Sequence, residues 1–168
     1  MNMNCNASLA VVVVAASLCA CTAYAPTRFA PGATIADVTQ AMGRPTGEYQ
    51  LPGSGNKRLE FARGPFGKHT YMLDFDASGR MVSSQQVLSE NNFNALRTGT
   101  SRDDLLMSLG HPSDVKTLPY QHRLLWSYRY EGPFCQWFQV GLDARGQVVD
   151  TGYGPDPMCT ERHPLSGL

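Results

Sequence analysis

Charge is the first thing this chain is short of. Its 14 basic and 14 acidic residues cancel, and no run of Lys and Arg exceeds the pair Lys57-Arg58. A neutral chain without a basic stripe has no electrostatic footprint for nucleic acid. It also has no polybasic patch with which to hold anionic lipid headgroups. Long apolar runs are missing too. The longest, "ASLAVVVVAASLCA" at residues 7–20, falls short of the roughly 20 residues that a helix needs to cross a bilayer. Catalytic signatures are equally scarce. The four histidines, His69, His111, His122 and His163, share no metal-ligand spacing. Ser83-Ser84 has no nucleophile-elbow glycines around it, and "GSG" at 53–55 lacks the Lys, the Thr and the helix of a phosphate loop. The sequence therefore predicts a non-enzyme with no cofactor, no metal and no small-molecule substrate. His111 stands where an earlier, similar phrase has Arg44, and reads as a solvent-facing polar position.

What is present begins with a leader. The apolar run has the length of a signal-peptide core and ends in "LCAC", Leu18–Cys21. Leu three residues before a Cys, with a small residue just before it, resembles the bacterial lipobox. On that reading residues 1–20 are a lipoprotein signal peptide and Cys21 is the lipidated first residue of the mature protein. The residue after it is Thr22 rather than Asp, which favours the outer membrane. The expected location is the periplasmic face of that membrane, with the Cys21 lipid as the membrane partner. No Lys or Arg precedes Arg28, so a plain cleaved signal and an uncleaved anchor remain as alternatives. Once the leader is gone, Cys135 and Cys159 are the thiols left besides Cys21. In an oxidising periplasm two thiols point to one disulfide; two free buried thiols are the alternative.

The mature chain repeats itself at an offset of 67 positions. "AMGRPTG" (41–47) returns as "SLGHPSD" (108–114). Thr34 falls on Ser101, Asp37 on Asp104, Val38 on Leu105, Met42 on Leu109, Gly43 on Gly110 and Pro45 on Pro112. These residues spell a capped helix start, an apolar face and a glycine stop expected as a left-handed C-cap with positive φ, closed by a proline. Further on, "RLEFA" matches "LLWSY", and "YMLDFDASGRMV" matches "FQVGLDARGQVV". Both stretches alternate with the period of half-buried strands and end in Asp-x-x-Gly turns. Each unit is thus predicted to be a short helix and a three-stranded antiparallel meander. Because neither unit buries its apolar face well alone, both helices are expected on one face of a combined sheet in an α+β fold. The second helix, with "LLMSL" at 105–109, is apolar around more of its circumference and is expected to be the more enclosed. The organisation read from this is tether 21–30, repeat 31–88, connector 89–98, repeat 99–160 and tail 161–168, with Phe93 and Leu96 docking the connector.

The lipobox, the Gly-[ST]-x-x-[DE]-apolar start, the Leu/Met-Gly-x-Pro stop and the Phe/Leu-Asp-x-x-Gly turn together resemble the BamE/SmpA/OmlA family of small outer-membrane lipoproteins. The stretch from Val87 to Asp114 carries this best. The resemblance implies an α+β fold and an accessory role in outer-membrane β-barrel assembly, with the assembly machinery or another envelope protein as partner. Tandem units of this kind are similar to the β-lactamase inhibitor protein, which implies instead a periplasmic binding or inhibitory module. Strand alternation puts Trp126 and Tyr128 in the core and Leu125, Arg129, Trp137 and Gln139, joined by Met72 of the first unit, on a free sheet face. A Trp beside an Arg suits a partner-binding surface. Coverage of the Cys135–Cys159 region is the other role open to Trp137.

Overall fold

The computed structural model describes residues 29–53, 55–63 and 67–160. The leader, the lipobox with Cys21, the tail 161–168 and His163 lie outside the described residues. The elements run α1 (Ile35–Met42), β1 (Gly47–Gln50), β2 (Lys57–Arg63), β3 (His69–Phe75), β4 (Met81–Gln86), α2 (Glu90–Ala95), α3 (Arg102–Leu109), β5 (Asp114–Leu118), β6 (Arg123–Arg129), β7 (Gln136–Leu142), β8 (Val148–Pro155) and α4 (Pro157–Thr160).

The 67-residue repeat is written into the backbone. Both long helices start on a hydroxyl that accepts from the amide three residues on, Thr34 from Asp37 and Ser101 from Asp104. Both end on a glycine at φ 79°, Gly43 with ψ −170° and Gly110 with ψ −166°. That conformation is not the left-handed helical basin but a region essentially reserved for glycine. The third and fourth strands of each unit carry a bulge at the same place, Asp74/Phe75 and Gly141/Leu142. Each pre-helix segment bridges the residue before the fourth strand, Thr34 to Arg80 and Ser101 to Gln147.

The unit differs from the expected meander by one strand. β1 and β5 precede the three predicted strands and give two separate four-stranded antiparallel sheets, β1-β2-β3-β4 and β5-β6-β7-β8. Both additions are edge strands, and "GEYQ" and "DVKTL" lack the apolar alternation that announces a strand with one buried face.

The helices also do not share one face of one sheet. On the inner face of the first sheet α1 packs Val38 and Met42 onto Leu59, Phe61, Leu73 and Phe75. Burying each such side chain is worth about 1.5–3 kcal/mol. The opposite face of the same sheet meets the second unit. Met72 joins Leu105 and Leu109 of α3, Phe93 of α2, and Trp126, Tyr128 and Phe138 of the second sheet in one core. Arg58 Nη1 of β2 donates to the Met107 carbonyl at 2.9 Å. The layers are therefore α1, first sheet, α2 with α3, second sheet. This stacking buries Leu105 and Leu109 to 0 and 1 % exposure. Yet α3 is not the more enclosed helix as expected: α1 and α3 each have two buried, two half-buried and four exposed residues, because the polar first turn of α3 still faces solvent. The connector docks through Phe93, whose ring stacks on Phe138 at 4.3 Å, and Leu96 packs against the same core.

Candidate functional site: the outer face of the second sheet

Period two along β6 and β7 sends Trp126, Tyr128, Phe138 and Val140 into the core and their alternates outward. The registers Ser127↔Gln139, Arg129↔Trp137 and Gln139↔Gly152 put Ser127, Arg129, Trp137, Gln139 and Gly152 on one outer face. Leu125 and Lys116, paired across β5 and β6, share it. Of the five residues expected there, Met72 is absent. It lies 2 % exposed in the core beneath α3, because the face of the first sheet that was expected to be free is covered by the second unit.

Trp137 lies on this face but is only 9 % exposed, so it is a braced element rather than a projecting anchor. The Arg129 guanidinium stacks over its ring, 5.3 Å from the centroid. Arg129 is held in turn by a two-pronged pair with Asp156, Nε to Oδ2 at 2.6 Å and Nη2 to Oδ1 at 3.1 Å. Burial pushes the Asp156 carboxyl up, but the bonds from Arg129 and the Met158 amide outweigh it and hold the group below the ordinary carboxylate range. Asp156 stays in place because its own amide donates to the Cys135 carbonyl and because Cys135 and Cys159 are joined by a disulfide, with Cα atoms 6.1 Å apart. The chain thus clamps α4 beside Arg129 and Trp137.

The rest of the face is partly covered by its own side chains, with Ser127 only 1 % exposed. Gln139 Nε2 donates to Ser127 Oγ at 3.2 Å and leans over Gly154, while Asp150 leans over Gly141. A Cβ built on Gly152 would meet no atom of the described residues within 4 Å. Bare backbone is therefore presented to solvent between Gln139 and the free edge of β8.

A second polar constellation lies at the junction of the units. Glu60, between Leu59 and Phe61 on β2, is 0 % exposed. Its Oε2 accepts from Tyr49 Oη at 2.6 Å and its Oε1 from Thr46 Oγ1 and the His111 amide, each at 3.0 Å. His111 Nδ1 lies 2.8 Å from Oε2. Close by, Tyr128 donates to the Gly110 carbonyl at 3.1 Å. Burial, followed by the Glu60 and Tyr49 charges, pushes the Tyr128 hydroxyl far up its range. Glu60 was not singled out in the sequence, and His111 is tied to it rather than purely solvent-facing. The available signal was a carboxylate inside an apolar strand. A carboxylate saturated with donors and closed to solvent rigidifies the junction between the units.

Among the described residues no group of three or more His, Cys, Asp or Glu is placed to hold a metal ion. Neither a protein-family model nor a curated protein matches the chain. Two solved structures align with it weakly. A candidate β-lactamase inhibitor protein from Streptococcus mutans aligns with a TM-score of 0.33 and 11 % identity over 76 % of this chain and 85 % of its own. A DUF4309 family protein from Bacillus subtilis gives 0.29 and 14 % over 73 % and 78 %. At these values the function has to be argued from the chain's own residues.

Proposed function

We propose that this protein is a non-enzymatic lipoprotein, tethered at Cys21 to the periplasmic face of the outer membrane, that binds another envelope protein through the outer face of its second sheet. The observation that carries the reading is the asymmetry of the stack. The first sheet is packed on both faces, by α1 and by α2 with α3, whereas the second has space above Gly152 and a rigid Arg129–Trp137–Asp156 group beside it. The rigidity matters because a surface fixed before binding loses less entropy on association. The resemblance of Val87–Asp114 to the BamE/SmpA/OmlA family favours a role in outer-membrane protein assembly or envelope maintenance. The tandem arrangement favours the alternative, a periplasmic inhibitory module that grips one soluble enzyme.

Gly152→Arg tests the surface. The new side chain enters open space, so the melting temperature should hold while a detergent-solubilised complex seen with the parent chain dissociates. An unchanged complex would remove the second sheet from the binding surface. Barrel-assembly components in that complex support the first role, and a single soluble enzyme supports the second.

A further inference from the structure

The duplication provides an internal control, because the same corner of each unit is built from corresponding residues. In the first unit an isoleucine covers this corner. Ile35 opens α1, packs against the core and closes over the 76–79 turn, its Cδ1 3.8 Å from where a Cβ on Gly79 would lie. Phe75 lies beneath, 0 % exposed. In the second unit Leu142 replaces Phe75 and Arg102 replaces Ile35. The apolar lid is exchanged for a charged side chain, and a cavity of about 480 Å³ lies beside it, with Leu142 as fully buried as Phe75. That volume falls within the range of about 300–1,000 Å³ usual for small-molecule sites.

Three exchanges at the rim share one direction. Ile35 becomes Arg102, Gly55 becomes His122 and Asn56 becomes Arg123, and all three of the new residues line the cavity. His122 occupies a left-handed backbone position, φ 51° and ψ 44°, that the first unit gives to Gly55 at φ 67°. It is the one non-glycine residue with positive φ among the described residues. An imidazole is thus held at the rim against backbone preference. The Arg102 side chain follows the 143–146 turn, its Nε 3.6 Å from where a Cβ on Gly146 would lie. Among the described residues it has no ion pair. Asp143 also lines the cavity; its carboxylate accepts from the Arg145 and Gln147 amides and pairs with the Arg145 guanidinium. Arg123 does pair with Asp150 at 2.7 Å, but that carboxylate is 60 % exposed, and such pairs exchange partners at little cost. The accessible floor is made by the half-buried Leu118 and Leu124, with Leu142 fully buried beneath them.

We infer that this corner of the second unit is a binding site for a small amphipathic carboxylate, its hydrocarbon on Leu118 and Leu124 and its anion between Arg102, Arg123 and His122. A carboxylate fits the arrangement because a guanidinium can hold it with two parallel hydrogen bonds. A neutral chain of the same length would use the floor and leave the rim idle.

The test is calorimetric titration of the full chain with sodium octanoate and, separately, with 1-octanol. Octanoate should bind saturably and at least tenfold more tightly than octanol. Arg102→Ile, which restores the first unit's lid, should abolish binding of both. Arg102→Gln, which leaves the cavity open, should cost octanoate about tenfold and leave octanol unchanged, so the inference stands on this variant should the other fail to fold. His122→Gly should raise the melting temperature and weaken octanoate severalfold. Equal affinity for octanoate and octanol, no saturable octanoate binding, or full octanoate affinity in Arg102→Gln would each overturn the site.

Discussion

Replacing Glu60 by Ala tests the junction between the two units. The carboxylate accepts from Tyr49, Thr46 and the His111 amide and lies 2.8 Å from His111 Nδ1. Thr46 keeps a second acceptor, the Glu60 carbonyl at 3.2 Å, which survives the substitution. The Tyr49 hydroxyl and the His111 amide lose the acceptor they use. Each orphaned donor costs about 1–3 kcal/mol, and the space left by the side chain adds to this. Relief of the carboxylate's own desolvation subtracts from it. The expected net loss is about 3 kcal/mol. Glu60→Gln keeps one acceptor oxygen for Thr46 and the His111 amide, and the Tyr49 hydroxyl can turn to accept from the new amide. It should cost about half as much. Urea unfolding followed by tryptophan fluorescence is the informative assay, because Trp126 and Trp137 are the chain's two tryptophans and both belong to the second unit, whereas Glu60 belongs to the first. A fluorescence transition that shifts with the circular-dichroism transition means the units unfold together. An Ala variant within about 0.5 kcal/mol of the parent, or a fluorescence midpoint that stays put while ellipticity moves, would refute the reasoning.

Three further outcomes are expected. Gly110→Val should destabilise by at least about 2 kcal/mol in chemical denaturation, because the backbone there sits at φ 79° and its Cβ would lie 2.8 Å from Glu60 Cδ; unchanged midpoints would discount both arguments. Acid should unfold the protein below about pH 4. Burial pushes Asp74 up, but Arg58 and Ser83 more than reverse it, and Asp156 is likewise held low against burial by Arg129. Groups held low in the folded state contribute stability above their unfolded range that is lost as pH falls, so stability should decline with acidity in a pH series and decline less in Arg129→Met. Palmitate-analogue labelling should disappear in Cys21→Ser and persist in Cys19→Ser; label surviving in Cys21→Ser would sink the lipobox assignment.

The parts of the fold legible in the sequence are those set by local chemistry. Thr34 and Ser101 announce helix starts, Gly43 and Gly110 announce stops, and their 67-residue spacing announces the repeat, because caps and positive φ depend on only a few neighbouring residues. The edge strands β1 and β5 escaped notice because an exposed edge has no buried face to pattern its residues. That the second face of the first sheet would be covered was not legible. Met72 alternates as a surface residue should, and only the arrival of α3 from the next unit buries it. Glu60 escaped for the same reason, since its donors come from 11 to 51 residues away. Arg129 and Trp137 were placed on the correct face by alternation, but their bracing by Asp156 depended on where α4 is held. The open corner beside Arg102 becomes legible once the two units are laid over each other residue by residue.

The central claim, that the outer face of the second sheet is the working surface, is tested most directly by photo-cross-linking in the intact envelope. A photoreactive residue at position 152 lies on the open face, and one at position 36 lies on the exposed side of α1. Position 152 should give a discrete protein adduct, lost in Arg129→Ala, and position 36 none. A discrete adduct from position 36 with none from position 152 would contradict it.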